Sequence, residues 1–320
     1  VMAGANTYIM IVTASIPFIA IYNSGAALFR TMGNSNISMI TSFLMNGINI
    51  VGNAIMIYGM KLGVVGAAVP TLVSRIVAAA VIYILALNPK FIISLSKRPT
   101  FRPDFRYVRK ILYIGVPNGL EGSMFQLGKI MVLSLVSTFG TSAIAANAVA
   151  NNIATFQTLP GIAVGLALVT VVSRCVGASD YKQARYYTRR LIAAAYIGII
   201  IMNIAIYLLL PTFLHGYNLS PETYSSAHKI LLYHGLMSMI IWPPAFSLGN
   251  TMRAANDVKF TMISAILSMW IFRIFFSYVI GKYMGLGVFG VWVAMTIDWA
   301  VRAVCFVCRY LGHKWELHKI

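Results

Sequence analysis

Residues 191–210 read LIAAAYIGIIIMNIAIYLLL, twenty consecutive residues without a charged side chain. A helix of this length spans about 30 Å, which is the thickness of the hydrocarbon core of a bilayer. In hydrocarbon every backbone N–H and C=O must be satisfied by the chain itself, and a helix does this within one segment. The stretch therefore predicts a membrane-spanning α-helix.

Similar apolar runs follow one another along the chain. A span needs about 20 mainly apolar residues, and nine runs reach this length. They cover residues 7–29, 36–60, 64–88, 108–138, 142–174, 188–211, 228–251, 259–281 and 287–309. The sequence therefore predicts an all-α integral membrane protein with nine spans, surrounded by the lipid bilayer.

The composition excludes a water-soluble globule. Hydrophobic residues make up 59% of the 320 residues, and only 10% are charged. The mean hydropathy is +0.79. A soluble domain carries about 25% charged residues, so this chain has too few to cover a surface in water.

Lysine and arginine produce a formal net charge of +18, which could indicate a nucleic-acid partner. Their concentration in alternate loops argues against nucleic acid and for orientation in a membrane. Two loops and their flanks carry 12 of the 25: Lys90, Lys97, Arg98, Arg102, Arg106, Arg109 and Lys110, then Arg174, Lys182, Arg185, Arg189 and Arg190. We expect loops 30–36, 88–108, 174–188 and 251–259 and the C-terminus to be cytoplasmic, and residue 1 to be extracellular.

The three cysteines predict neither a disulfide framework nor a metal site. Their number is odd, and Cys175, Cys305 and Cys308 all lie in or beside apolar runs. Cys305 and Cys308 have CxxC spacing, but no second pair lies near them in the sequence. We therefore expect them to be small helix-packing residues.

Two short segments occur twice. Residues 28–34 read LFRTMGN and residues 251–257 read TMRAAND, while Gly63-Val64-Val65-Gly66 matches Gly287-Val288-Phe289-Gly290. Both pairs are offset by about 223 residues, or six spans, so the two copies keep the same orientation. Parallel repeats of this kind are a transporter architecture, with the substrate site at the repeat interface. The second repeat would be complete, and the first would have only its last three helices.

Further motifs follow in a characteristic order. Residues 139–153 read FGTSAIAANAVANNI, and they are followed by Leu159-Pro160-Gly161 and by VSRCVGA at residues 172–178. Residues 28–34, Ile48-Asn49-Ile50, the Gly63 segment and Asp298-Trp299 with Arg302 complete the pattern. In this order and spacing the chain resembles the multidrug and toxic compound extrusion (MATE) transporters, over helices four to twelve of a twelve-helix protein.

The resemblance implies a fold of two parallel six-helix lobes, with the first lobe truncated to three helices. Residues 1–90 would form the end of the first lobe, residues 91–107 a cytoplasmic inter-lobe loop, and residues 108–320 the second lobe. The implied function is antiport: Na⁺ or H⁺ drives export of drug-like amphipathic compounds, often organic cations. The expected protein is a monomeric transporter of the cell membrane, not an enzyme, and needs no cofactor beyond its coupling ion.

Glu121 and Asp298 are the two of the seven acidic residues that lie within apolar runs. An ionisable group at membrane depth is costly and indicates function. Glu121 follows Pro117, which frees a backbone carbonyl on the preceding turn. It also matches the seventh-helix carboxylate that the family uses for cation coupling. The alternative is a structural pair with Lys129 or with another residue of the lobe.

The other candidates are polar residues within apolar runs. Asn49, Asn53 and Thr71 match a first-lobe cation site of the family, although the family often has aspartate at the position of Asn53. The alternative for them is hydrogen bonding between helices in lipid. Gln126, Lys129, Asn147 and Asn151 are candidates for the cavity and substrate, and Lys129 is unusual for a transporter of cations. Asp298 and Arg302, four residues apart, are expected to form a structural ion pair.

Two other functions remain open from the sequence. A related lipid-linked oligosaccharide flippase would need several cavity arginines, and Arg75 and Arg273 are too few to decide. A membrane-embedded enzyme would need a catalytic cluster such as paired His and Asp motifs at membrane depth, and the sequence contains none.

Overall fold

The structure, a computed structural model, describes residues 2–95 and 104–317. Within these ranges all regular secondary-structure elements are helices, and there is no strand. The chain divides into two compact units, Val1–Pro103 and Asp104–Ile320. Much of the expected inter-lobe loop, residues 96–103, lies outside the described residues, as do residues 318–320 of the C-terminal tail.

The first unit contains four helices. They are α1 (Met2–Ala14), α2 (Ile16–Thr31), α3 (Ser35–Ala54) and α4 (Gly63–Ala86), and α3 continues as a π-helix over Ile55–Gly59. The axes of α1 and α2 meet at 40°. The bend lies at buried Ser15, whose hydroxyl donates to the Val12 carbonyl. It coincides with the start of α2, where a proline occupies one of the first two positions and cannot donate to the preceding turn.

The second unit contains seven further α-helices. They are α5 (Phe105–Ser137), α6 (Thr141–Gly177), α7 (Tyr181–Gly216), α8 (Pro221–Trp242), α9 (Leu248–Ala254), α10 (Val258–Leu267) and α11 (Gly287–Leu311). A π-helix over Pro243–Ser247 joins α8 to α9, two more cover Ser268–Ile274 and Ser277–Tyr283 after α10, and a 3₁₀ turn covers Lys314–Leu317.

Helix α5 begins three residues earlier than the apolar run predicts. The Asp104 side chain accepts a hydrogen bond from the backbone N–H of Arg106, so it caps the helix before the basic residues. The Arg106 guanidinium also donates to this carboxylate and holds the pKa of Asp104 below its usual value. The capped polar turn therefore extends α5 by three residues before the apolar run begins.

Seven of the described helical segments are long and apolar enough to cross a membrane, and the bent α1–α2 pair makes an eighth if it forms one span. The seven are Ser35–Gly59, Gly63–Ala86, Thr141–Gly177, Tyr181–Gly216, Pro221–Ala254, Val258–Tyr283 and Gly287–Leu311. Helix α5 is not among them, because Asn118, Glu121, Gln126 and Lys129 lower its hydropathy. Its span, the ninth, stays a prediction.

Both sequence repeats have matching local structures. After α2, the N–H of Asn34 bonds to the carbonyl of Phe29 at 2.9 Å. After α9, the N–H of Asp257 bonds to the carbonyl of Met252 at the same distance. Gly33 and Asn256, at the equivalent positions, have φ of +83° and +65°. Two different sequences thus end their helices with the same left-handed turn.

The second repeated segment places a glycine against backbone in both copies. A Cβ at Gly66 would lie 2.9 Å from the Met56 carbonyl oxygen, and one at Gly290 would lie 2.8 Å from the Ile280 carbonyl oxygen. Only glycine fits this contact between a helix and the π-helix before it. The repeat inferred from sequence therefore corresponds to a repeated structural unit.

Candidate functional site

Glu121 forms an ion pair with Arg253 inside the second unit. Its Oε1 accepts from Arg253 Nη2 at 2.5 Å, and the two side chains are 15% and 23% exposed. The other guanidinium nitrogen, Nη1, donates to Asn250 Oδ1 at 3.0 Å. Of the two structural pairs considered from the sequence, the carboxylate forms the one with another residue of the lobe, Arg253, and not the one with Lys129.

A cavity of about 280 Å³ surrounds this ion pair. Its lining consists of Asn118, Glu121, Gly122, Phe125, Phe246, Arg253 and Arg302. Within the described residues the second carboxylate oxygen, Glu121 Oε2, is buried and accepts no hydrogen bond. A buried carboxylate oxygen without a donor is costly, so Glu121 Oε2 is an unsatisfied acceptor on a residue that lines the cavity.

Asp298 is shared by two arginines. Its Oδ1 lies 3.5 Å from Arg302 Nη2, the pair expected from the sequence, and its Oδ2 lies 4.0 Å from Arg273 Nη1. Asp298 is fully buried, while Arg302 and Arg273 are 4% and 9% exposed. The sequence left Arg273 without an assignment, because its partner lies on another helix. This site holds two guanidinium charges against one carboxylate.

The polar residues predicted for a substrate cavity come together only in part. A cavity of about 220 Å³ is lined by Lys129, Asn147 and Asn151, together with Val132, Leu133, Arg273, Val291, Trp292 and Met295. Gln126 does not line it and is exposed. The side chain of Asn147 accepts from Trp292 Nε1 at 3.1 Å, and Asn151 donates to the Asn147 carbonyl at 2.7 Å.

Asn49, Asn53 and Thr71 form a hydrogen-bonded chain within the first unit. Asn49 donates to Thr71 Oγ1 at 3.0 Å, and Asn53 donates to Asn49 Oδ1 at 3.1 Å. The chain joins α3 to α4, which is the interhelical bonding considered as the alternative to a cation site. Asn53 Oδ1 is buried without a hydrogen-bond partner among the described residues, so one acceptor stays open.

Sequence reasoning missed two features of the second unit. The first is the role of Arg253, which the sequence placed only in the repeated segment 251–257 and the predicted cytoplasmic loop 251–259; its match with Arg30 in the repeat was a usable signal. The second is a buried polar cluster, in which His234 Nδ1 lies 2.6 Å from Gln157 Oε1 and Asn203 donates to the Gln157 carbonyl at 3.2 Å. The His234 ring also packs edge-on against Trp292. Lone polar residues in apolar runs carry no signal of which partners they meet.

Arg75, the other unassigned arginine, has its partner within the first unit. Its Nη1 donates to Ser15 Oγ at 2.6 Å. The contact ties α4 to the bend between α1 and α2. This geometry gives Arg75 a structural partner within the first unit.

Three proteins with similar sequences are described as transporters or as probable multidrug resistance proteins. An uncharacterized transporter, YisQ, and a probable multidrug resistance protein, YoeA, both from Bacillus subtilis, are each 26% identical to this chain. The matches cover 98% of the chain, with 70% of YisQ and 68% of YoeA. A probable multidrug resistance protein NorM from Thermotoga maritima is 24% identical over 98% of the chain and 68% of its own length.

Solved structures show the same fold. An outward-facing multidrug resistance MATE family transporter of the MOP superfamily superimposes with a TM-score of 0.86 at 23% identity. A MOP superfamily transporter from Pyrococcus furiosus gives 0.87 at 23% identity. Each match covers 95% of this chain and 68% of the other chain.

The family model described as MatE matches residues 117–279, just over half of the chain. This range holds Glu121, Lys129, Arg253 and Arg273, so the matched segment includes residues of both cavities. The chain therefore belongs to the MatE family of multi-pass membrane transporters.

Proposed function

We propose that the protein is a secondary active antiporter that exports xenobiotic amphipathic compounds, organic cations among them, in exchange for Na⁺ or H⁺. The multidrug resistance relatives support the substrate class, and family membership supports transport over enzymatic chemistry. The coupling residue is Glu121. The second carboxylate oxygen, Glu121 Oε2, carries the proposal, because it is a buried acceptor without a hydrogen bond among the described residues, on a side chain that lines a cavity and whose other oxygen is paired.

The coupling step follows from the two oxygens of this carboxylate. With Oε1 held by Arg253, Oε2 is the carboxylate oxygen that is left to accept. A proton or Na⁺ that binds there neutralises the charge and weakens the attraction to Arg253. Because Arg253 also donates to Asn250 Oδ1, its guanidinium keeps this hydrogen bond when it separates from the Glu121 carboxylate. Ion binding would thus change the link between α5 and α9.

Asn49, Asn53 and Thr71 are a second, weaker candidate for cation binding. Asn53 Oδ1 is the open oxygen, and the three side chains include no carboxylate to balance a cation. Na⁺ is a hard cation that needs several oxygen ligands, and the neighbouring hydrogen bonds already occupy Asn49 Oδ1. We therefore place the coupling charge at Glu121 and a supporting role at these residues.

We also propose a plasma-membrane location in which the loops rich in lysine and arginine, and the C-terminus, face the cytoplasm. The asymmetry of these residues between alternate loops supports this orientation. Residue 1 would then lie on the extracellular side. Labelling of Lys314→Cys with a membrane-impermeant maleimide in intact cells tests the orientation.

Export driven by an imposed gradient tests the coupling role. In proteoliposomes containing the protein, ethidium movement is measured with a Na⁺ gradient and, separately, with a pH gradient. Glu121→Gln should abolish ion-driven movement with protein incorporation unchanged. Glu222→Gln is the matched control, because Glu222 accepts from Ser142 outside both cavities. Ion-driven export that persists in Glu121→Gln would refute the coupling role.

A further inference from the structure

The cavity beside Lys129 carries positive charge without an acidic residue in its lining. Among the described residues that line it, Lys129 and Arg273 are the charged ones and Asn147 and Asn151 are the polar ones. Trp292 and Met295 lie among the apolar ones. The cavity thus combines two cations with an apolar wall.

The carboxylate nearest to Arg273 does not balance this charge. Asp298 lies 4.0 Å from Arg273 and is shared with Arg302 at 3.5 Å. A charge-assisted hydrogen bond between such groups is about 2.7–2.9 Å long, so both contacts are loose. Arg273 Nε is also buried without a hydrogen-bond partner in the described part of the chain. Arg273 and Arg302 therefore share one carboxylate, and Lys129 has no ion pair among the described residues.

We propose that this cavity binds the anionic group of an amphipathic organic compound. Lys129 and Arg273 hold the carboxylate, phosphate or sulfonate, and Trp292 and Met295 contact the apolar body. The inference rests on the proposed export function and adds to its substrates a class with an anionic group, whether anionic or zwitterionic, that binds in this cavity. A purely cationic compound would lie against Lys129 with no counter-charge in the lining.

The size and polarity of the cavity fit such a ligand. Its volume of about 220 Å³ holds roughly seven waters at about 30 Å³ each, which suits one anionic group on a ring-sized body. Asn147 already accepts from Trp292 through its side-chain oxygen, so its amide N–H₂ group is the one left to donate. Donors are what an anion requires.

Binding of matched probes tests the proposal. The purified chain in phosphatidylcholine nanodiscs is titrated with naphthalene-2-sulfonate and with 2-naphthyltrimethylammonium, which share the ring and differ in charge. The sulfonate should bind more tightly. Lys129→Gln should weaken its binding roughly 10- to 100-fold, the value of one hydrogen bond to a charged group. Lys129→Glu should reverse the preference.

Lys282→Gln is the matched control, since Lys282 is exposed and lies outside the cavity lining. It removes the same charge and should leave sulfonate binding unchanged. Arg273→Gln should weaken binding as well, but it also disturbs Asp298, so the Lys129 variants carry the test. Equal affinity for the two probes, or unchanged sulfonate binding in Lys129→Gln, would overturn the proposal.

Two further arms separate the possible sources of the result. Nanodiscs that also contain phosphatidylglycerol should leave sulfonate binding unchanged; competition by this lipid would mean that a lipid headgroup occupies the cavity and would overturn the assignment to an exported compound. Loss of ion-driven export with the sulfonate preference intact contradicts the proposed function alone. Export that depends on Glu121 but no sulfonate preference contradicts the anion site alone.

Discussion

Replacing Asp298 by asparagine removes the carboxylate from a buried group of charges. Asp298 is fully buried, and its two partners, Arg302 and Arg273, are 4% and 9% exposed. Asparagine keeps the size of the side chain but not its charge. The two guanidiniums then have no counter-ion within the group, and a buried charge without a partner is strongly destabilising. We therefore expect a large loss of stability.

The distances set the magnitude. With an effective dielectric constant of 20, charges at 3.5 Å and 4.0 Å attract by about 4.7 and about 4.2 kcal/mol. The gross loss is about 9 kcal/mol, from which the desolvation cost of the carboxylate, several kcal/mol, must be subtracted because the variant no longer buries that charge. The expected net loss in the free energy of unfolding is about 3–5 kcal/mol, the range found when one partner of a buried pair is removed.

The assay is equilibrium unfolding in mixed micelles of dodecyl maltoside and SDS, followed by far-ultraviolet circular dichroism. Asp104→Asn is the matched control, because it makes the same chemical change in a pair whose partner, Arg106, is 88% exposed. Asparagine also caps helices well, so α5 keeps its first turn. No measurable change is expected for this control.

A second variant tests the physical reason. Adding Arg302→Met to Asp298→Asn removes one of the two unbalanced charges and should recover part of the lost stability. A loss below about 1 kcal/mol for Asp298→Asn would show that the charges are solvated or balanced in another way. A further loss on adding Arg302→Met would also refute the reasoning, since it would show that Arg302 stabilises the unit without Asp298.

Two further predictions concern packing and orientation. Gly161→Ala should lower the free energy of unfolding by about 1–3 kcal/mol, because its Cβ would overlap the Trp242 ring. Gly119→Ala has open space and serves as its control in the same unfolding assay; an equal effect of both would contradict the packing argument. In a cysteine-free background, Lys314→Cys should resist a membrane-impermeant maleimide in intact cells and react in inverted vesicles. Labelling in intact cells would overturn the orientation.

The sequence predicted the helical membrane fold because its signal is local. Twenty apolar residues must form a helix in lipid wherever they lie in the protein. The repeat was also visible in the sequence, because the same local structures need similar residues in both copies. Arg30 and Arg253 precede turns of the same kind, and Gly66 and Gly290 each lie against a backbone carbonyl. The exact start of α5 was missed, because capping by Asp104 depends on one side chain and not on the apolar pattern.

The sites were predicted less completely because their partners lie far apart in the sequence. Asp298 and Arg302 are four residues apart, and the sequence paired them. Arg273 and Arg253 reach their carboxylates from other helices, over 25 and 132 residues. A single sequence reports which side chains are costly in lipid but not which of them meet. The sequence showed that Lys129 is unusual for a transporter of cations. Only the structure shows that Arg273 lines the same cavity, which makes two positive charges in one lining.

One face of α5 connects the two cavities. Glu121, Phe125 and Lys129 lie at intervals of four residues, so they follow one another along the helix, about 12 Å from first to last. Arg302 lines the cavity of Glu121 and Arg273 lines the cavity of Lys129, and both share Asp298. Asp298, Arg273 and Arg302 are buried, and charges in such a poorly solvated region interact strongly. A coupling ion at Glu121 and an anionic group at Lys129 would therefore influence each other through one carboxylate, without sharing a pocket.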